Sequence, residues 1–169
     1  MIRSVTISTL FFLCFALFET TILANMLFLP AVPDFLLLIL MYVAVNNGRL
    51  FGVTVGFISG LFLDFFSGCP FGLNCLLRTL MGYIFGLFSK TLNINGVILP
   101  ALQGFLATLL KALLLWIISI FFPSGIKSYV LFSTPLAFEL AFNTVLAPLM
   151  FAFMSLFDKY VLLSLEEAS

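Results

Sequence analysis

Apolar residues run along this chain in long blocks, separated by a few clusters of polar and turn-forming residues. The first block runs from about Ser4 to Phe28 and stops before Pro30 and Pro33. The second spans about residues 33–45, with Pro33 suited to a first helical turn, and meets a break at Asn46-Asn47-Gly48. The third covers 50–66 and ends at Ser67-Gly68-Cys69-Pro70; the fourth covers 71–89, before Lys90 and Asn93-Ile94-Asn95-Gly96. The fifth covers 97–122, up to Pro123-Ser124-Gly125, and the sixth 130–157, with Pro135 near its start and Pro148 inside it. A helix needs about 20 apolar residues to cross the hydrocarbon core of a bilayer. The pattern predicts an all-α protein: a single transmembrane domain over 1–169, built as a bundle of six spanning helices.

The second and third blocks are short, and residues 33–66 have a rival reading as one long tilted helix or a re-entrant pair. That reading puts Arg49 near mid-bilayer, where the charge is costly. Charge placement favours six spans. With the N-terminus in the cytoplasm, Arg3, Arg49, Lys90 and Lys159 fall inside and only Lys127 outside, the bias expected of the positive-inside rule. Both termini are then cytoplasmic. The first block resembles a secretory signal in having Arg3 ahead of an apolar run, but it is too long for an h-region and no A-x-A site follows, so it reads as a retained helix.

Composition narrows the function. Hydrophobic residues make up 63% of the chain and charged residues 8%, whereas a water-soluble domain carries about a quarter of its residues as charge. A net charge of zero gives no electrostatic basis for nucleic-acid binding. With no histidine, serine triads and imidazole metal sites or proton relays are excluded. Cys14, Cys69 and Cys75 form no CxxC pair and read as small apolar fillers. No cofactor or metal is expected. Tyr129 and Tyr160 are the best interfacial anchors, and Asp158, Lys159, Glu166 and Glu167 read as solvated charge.

Two sets of residues carry specific information. Gly48, Gly52, Gly56 and Gly60 follow strict i+4 spacing, with Asp64 on the next step. Such a row leaves one helix face without side-chain bulk, so another backbone can approach closely. The fourth span answers with Gly72, Gly82 and Gly86, which predicts a tight antiparallel hairpin or, on the same physics, a face for a partner. The second set is the ionisable residues within the spans: Glu19, Asp64, Arg78, Lys111 and Glu139. Insertion of Arg, Lys or Asp at a span centre costs roughly 2.5–3.5 kcal/mol each, so these groups should gather in a polar cluster inside the bundle. Counting from the turns sets all five in the outer half or middle of the bundle and suggests Arg78 with Glu139, and Glu19 with Lys111. Asp64, nearest the surface, could simply cap the outer turn. Such a cluster serves either to fix helix order or to bind a ligand, proton or lipid, or to meet a partner.

Pro33-Asp34, Tyr42-Val43-Ala44, Gly48-Arg49, the G-x-x-x-G-x-x-x-G-L-x-x-D run ending at Asp64, Ser67-Gly68-x-Pro70-x-Gly72 and Gly82-Tyr83-Ile84-Phe85-Gly86 together resemble the rod shape-determining protein MreD family of bacterial inner-membrane proteins. The resemblance is concentrated in residues 33–86. It implies a non-enzymatic subunit of the cell-elongation machinery. Its implied partners are the bitopic protein MreC, the actin-like MreB filament, RodA and a class B penicillin-binding transpeptidase, as organisers of lateral peptidoglycan synthesis. The family's bundle is also similar to the S component of energy-coupling-factor transporters, which implies, as an alternative, a small-molecule-binding membrane subunit.

Overall fold

A computed structural model describes residues 2–21, 31–68, 70–89, 96–121 and 133–162. The described residues form seven helices and no strand: α1 (Ile2–Thr21), α2 (Phe35–Asn47), α3 (Arg49–Phe66), α4 (Leu73–Leu87), α5 (Ile98–Phe121), α6 (Thr134–Ser155) and the short α7 (Asp158–Val161). Six of these overlap the apolar blocks, and α7 lies past the last of them. Cys69, Lys90, Lys127, Tyr129 and the Glu166-Glu167 pair lie outside the described residues.

Four helices, α1, α3, α5 and α6, are long and apolar enough to cross a membrane, while α2 and α4 are apolar but shorter, at 13 and 15 residues. Many large apolar side chains on the outside are exposed, among them Leu50, Ile98, Phe121 and Leu156. Water would penalise such a surface, and hydrocarbon does not. The chain is a transmembrane helical bundle.

α2 lies at its centre. Every residue from Leu36 to Val45 is buried, so the helix is apolar all round because protein surrounds it all round. It touches α1, α3, α4, α5 and α6. At its C-terminal end the chain reverses through Gly48, whose φ of 91° is open to glycine and strained for other residues. That reversal breaks residues 33–66 into two helices. Ser4 Oγ donates to the Leu162 carbonyl at 3.4 Å, and Asn47 Nδ2 donates to the Val161 carbonyl at 3.2 Å. The start of α1, the end of α2 and α7 therefore share one end of the bundle. Tyr42 is buried there and donates its hydroxyl to Asp158, which is thus engaged in the fold rather than merely solvated.

α3 and α4 form the most intimate pair. A Cβ added at Gly52 would strike the backbone of Gly82, one at Gly56 the backbone of Arg78, and one at Gly60 the Asn74 carbonyl oxygen at 2.5 Å. A Cβ at Gly86 would lie 2.6 Å from the Arg49 Cα. As the α3 number climbs by four the α4 number falls by four, which is antiparallel register. Two glycines of the sequence pattern do other work. Gly48 forms the turn just described, and Gly72 (φ 91°) starts α4 with open space around it. A second close pair joins α5 to α6, where a Cβ on Gly104 would lie 2.6 Å from the Ala147 Cβ.

Gly56→Leu should destabilise the bundle by about 3 kcal/mol or more, because the obstacle is backbone and cannot rotate away. Phe57→Leu, one position along and exposed, should stay within about 0.5 kcal/mol of wild type. Thermal unfolding in detergent compares the two, and equal loss would contradict the packing.

Candidate functional site

Asp34 precedes α2 as its N-cap, its Oδ1 accepting from the Leu37 N–H at 2.8 Å. The residues before it bring Pro33 and this carboxylate to the start of an otherwise apolar helix, where the first N–H groups have no intrahelical partner and the dipole favours negative charge. Two cations converge on the same carboxylate. Arg78 Nη2 of α4 reaches Oδ1 at 2.7 Å, and Lys111 Nζ of α5 reaches Oδ2 at 2.7 Å. Lys111 Nζ also lies 2.7 Å from Glu139 Oε1 of α6. One chain of ion pairs, Arg78–Asp34–Lys111–Glu139, thus ties α4, α5 and α6 to the N-terminus of α2.

All four side chains are withdrawn from the surface, Glu139 most deeply at 1% exposure and Lys111 least at 19%. Two cations and two carboxylates balance, which lowers the cost of holding charge in a bilayer far below that of a lone ion. Neutral hydrogen bonds extend the network. The Asp34 backbone N–H donates to Asn143 Oδ1 at 3.1 Å, Asn143 Nδ2 donates to Thr108 Oγ1 at 2.9 Å, and that hydroxyl donates to the Gly104 carbonyl at 2.9 Å. The Gly104 contact that lets α5 and α6 close thereby also brings Thr108 against Asn143.

The structure brings Glu19, Arg78, Lys111 and Glu139 to one locality, in pairings that differ from those the depth count suggested. Arg78 meets Asp34 rather than Glu139, and Glu139 meets Lys111. Glu19 Oε2 instead takes the Leu36 N–H of α2 at 3.4 Å, within electrostatic reach of Asp34, Arg78 and Lys111. The reason is Asp34, which stands between the two cations; the sequence pattern sets it at the start of the second span but outside the set of intramembrane charges. A signal was present: 13 residues rise only about 20 Å, short of the roughly 30 Å core, so one end of α2 had to lie inside.

Asp64 stands apart from this cluster. Its Oδ2 accepts from the N–H groups of Gly72 (2.9 Å) and Cys75 (3.1 Å), and its Oδ1 from the N–H of Asn74 (3.0 Å) and from Asn74 Nδ2 (3.0 Å). The carboxylate closing the glycine row of α3 thus caps the N-terminus of α4. The row sets α4 against α3 with the Arg78 backbone on Gly56, and so fixes where the guanidinium starts.

Among the described residues no group of His, Cys, Asp and Glu has the arrangement to hold a metal ion. The carboxylates of the cluster are engaged by cations and helix N–H groups, an arrangement suited to holding helices in place.

A family model described as rod shape-determining protein MreD matches residues 1–157 of the 169. No curated protein and no solved structure matches the chain.

Lys111→Met, which removes the cation shared by Asp34 and Glu139 and leaves Asp34 with Arg78 alone, should cost about 3–5 kcal/mol, the loss expected when one partner of a buried pair is removed. Asp64→Asn, which keeps one capping oxygen but turns its NH2 toward two of the N–H donors, should cost less than that, about 1–2 kcal/mol. Detergent melting curves that fall equally for both would contradict the assignment of the first to a network and the second to a cap.

Proposed function

The chain belongs to the rod shape-determining protein MreD family, and from that premise we propose that it acts as a non-enzymatic scaffold of the cell-elongation complex in the bacterial inner membrane. It crosses the bilayer six times with both ends in the cytoplasm, as one transmembrane domain. Its work is to hold a surface on which the transmembrane helix of an MreC-like bitopic protein docks, and through that contact to position RodA, a class B penicillin-binding transpeptidase and the MreB filament during lateral peptidoglycan synthesis.

The observation that carries this reading is the ion-pair chain Arg78–Asp34–Lys111–Glu139. Charges paired in this way lock helix order, and a rigid helical surface is what a docking subunit must provide. The small-molecule-binding alternative would draw on the same groups, whose cations are already held by Asp34 and Glu139. The intramembrane glycine row of α3 faces α4 of the same chain, so a partner helix docks on another face, through side-chain packing and hydrogen bonds rather than through an apolar driving force.

Detergent co-purification of the full chain with a single-span MreC-like protein should retain the two at equal stoichiometry, and depletion of the chain should round rod-shaped cells. A chain that never retains such a partner, in cells that keep their shape without it, would contradict the scaffold. Reporter fusions after residues 49, 90 and 162 should all report the cytoplasm; a split between residues 49 and 90 would overturn the six-span topology.

A further inference from the structure

Between the C-terminal half of α4 and the first two-thirds of α5 the helices part, leaving a cleft of about 390 Å³. Phe85 and Phe88 form one wall, and Leu102, Leu106, Leu109 and Leu113 the other. Except for Phe85, these six side chains are exposed on the outside of the bundle, so the cleft opens toward the hydrocarbon. One polar residue lines it. Gln103 is 4% exposed, and neither its Nε2 nor its Oε1 has a hydrogen-bond partner among the described residues. An amide buried without partners is costly in any protein, and in a bilayer water does not relieve it.

We propose that this cleft binds one acyl chain of a diacyl glycerophospholipid, with the glycerol-ester region of that lipid at the Gln103 amide. Three observations converge on this occupant. The first is size. A groove of about 390 Å³ between two helices takes a slender alkyl chain, whereas a protein helix about 10 Å across would rest across its mouth rather than enter it. The second is length. From Gln103 to Leu113 is ten residues, about 15 Å along α5, which equals half of the roughly 30 Å hydrocarbon core and so the reach of one leaflet. The third is depth. Gln103 lies five residues after Ile98, about 7.5 Å into a helix whose 24 residues outrun the core by about 6 Å. That sets the amide within a turn of the hydrocarbon boundary, where the ester carbonyls of a lipid accept hydrogen bonds and its headgroup hydroxyls donate them. The leucine wall meets the alkyl chain, and the amide meets the polar end.

Native mass spectrometry and thermal melting on the full chain, delipidated in detergent and titrated with palmitoyl-oleoyl phosphatidylglycerol, test the proposal. Wild type should take up one tightly held lipid and melt higher for it. Leu106→Trp, which fills the cleft, should weaken that uptake at least tenfold. Gln103→Leu should weaken it about fivefold, the effect of one lost hydrogen bond. The same variant should melt higher than wild type when lipid-free, because the unpartnered amide is gone. Uptake unchanged in both variants would overturn the proposal. So would a lipid-free Gln103→Leu chain no more stable than wild type. A co-purified single-span protein that abolishes lipid uptake by the wild-type chain would also overturn it, by assigning the cleft to a protein helix.

Discussion

A carboxylate inside a bilayer needs a cation, and here Asp34 has two. Its position at the N-terminus of α2, with Arg78 on one oxygen and Lys111 on the other, is the constraint on which the rest of the bundle depends. Lipid offers no hydrophobic force to press one apolar helix on another, because acyl chains solvate leucine as well as leucine does. What selects a particular helix order is the small set of contacts that lipid cannot replace. In this chain those are the ion pairs, the hydrogen bonds around Asn143 and Thr108, and the glycine contacts through which backbones touch.

These contacts act together. The glycine row brings α4 onto α3 with the Arg78 backbone against Gly56, and Asp64 fastens the start of α4. The closeness of Gly104 to Ala147 brings α5 onto α6 and sets Lys111 beside Glu139. Two tight pairs are thus joined through one carboxylate on the central helix. α2 rises only about 20 Å, and Arg78 and Glu139 lie five residues, about 7.5 Å, inside the starts of α4 and α6. Together these lengths come close to the thickness of the hydrocarbon core. The central helix stops short of one surface, and its N-terminal N–H groups at Leu36 and Leu37 are answered by the carboxylates of Glu19 and Asp34 rather than by water, as a helix end at that depth requires.

The sequence made some of this legible. Helix existence followed from apolar blocks bounded by Pro, Gly and Asn, and the close approach of α3 and α4 followed from i+4 glycine spacing, which needs only helical geometry. The gathering of Glu19, Arg78, Lys111 and Glu139 followed from the cost of stranding charge in lipid. The pairing was not legible, because depth counted from turns assumes that every helix starts at a surface. α2 does not, so Asp34, at the first turn of the second span, counts as a residue of the surface when it is the hub. Gly104, Thr108, Asn143 and Ala147 were missed for a related reason: a row mixing Gly, Thr, Asn and Ala has no single-residue signature, and its meaning emerges only once α5 and α6 are paired. The unpartnered amide of Gln103 is a tertiary fact with no trace in local pattern.

A double-mutant cycle on Asp34 and Arg78 tests the central claim most directly. Unfolding free energies of wild type, Asp34→Asn, Arg78→Met and the double variant, measured in one detergent, give the coupling between the two side chains. A buried pair of this kind should show about 2 kcal/mol or more of coupling, with the double variant more stable than the sum of the single losses allows. Losses that simply add to within about 0.5 kcal/mol would mean that the two groups do not sense each other, and the ion-pair network would not be what orders the bundle.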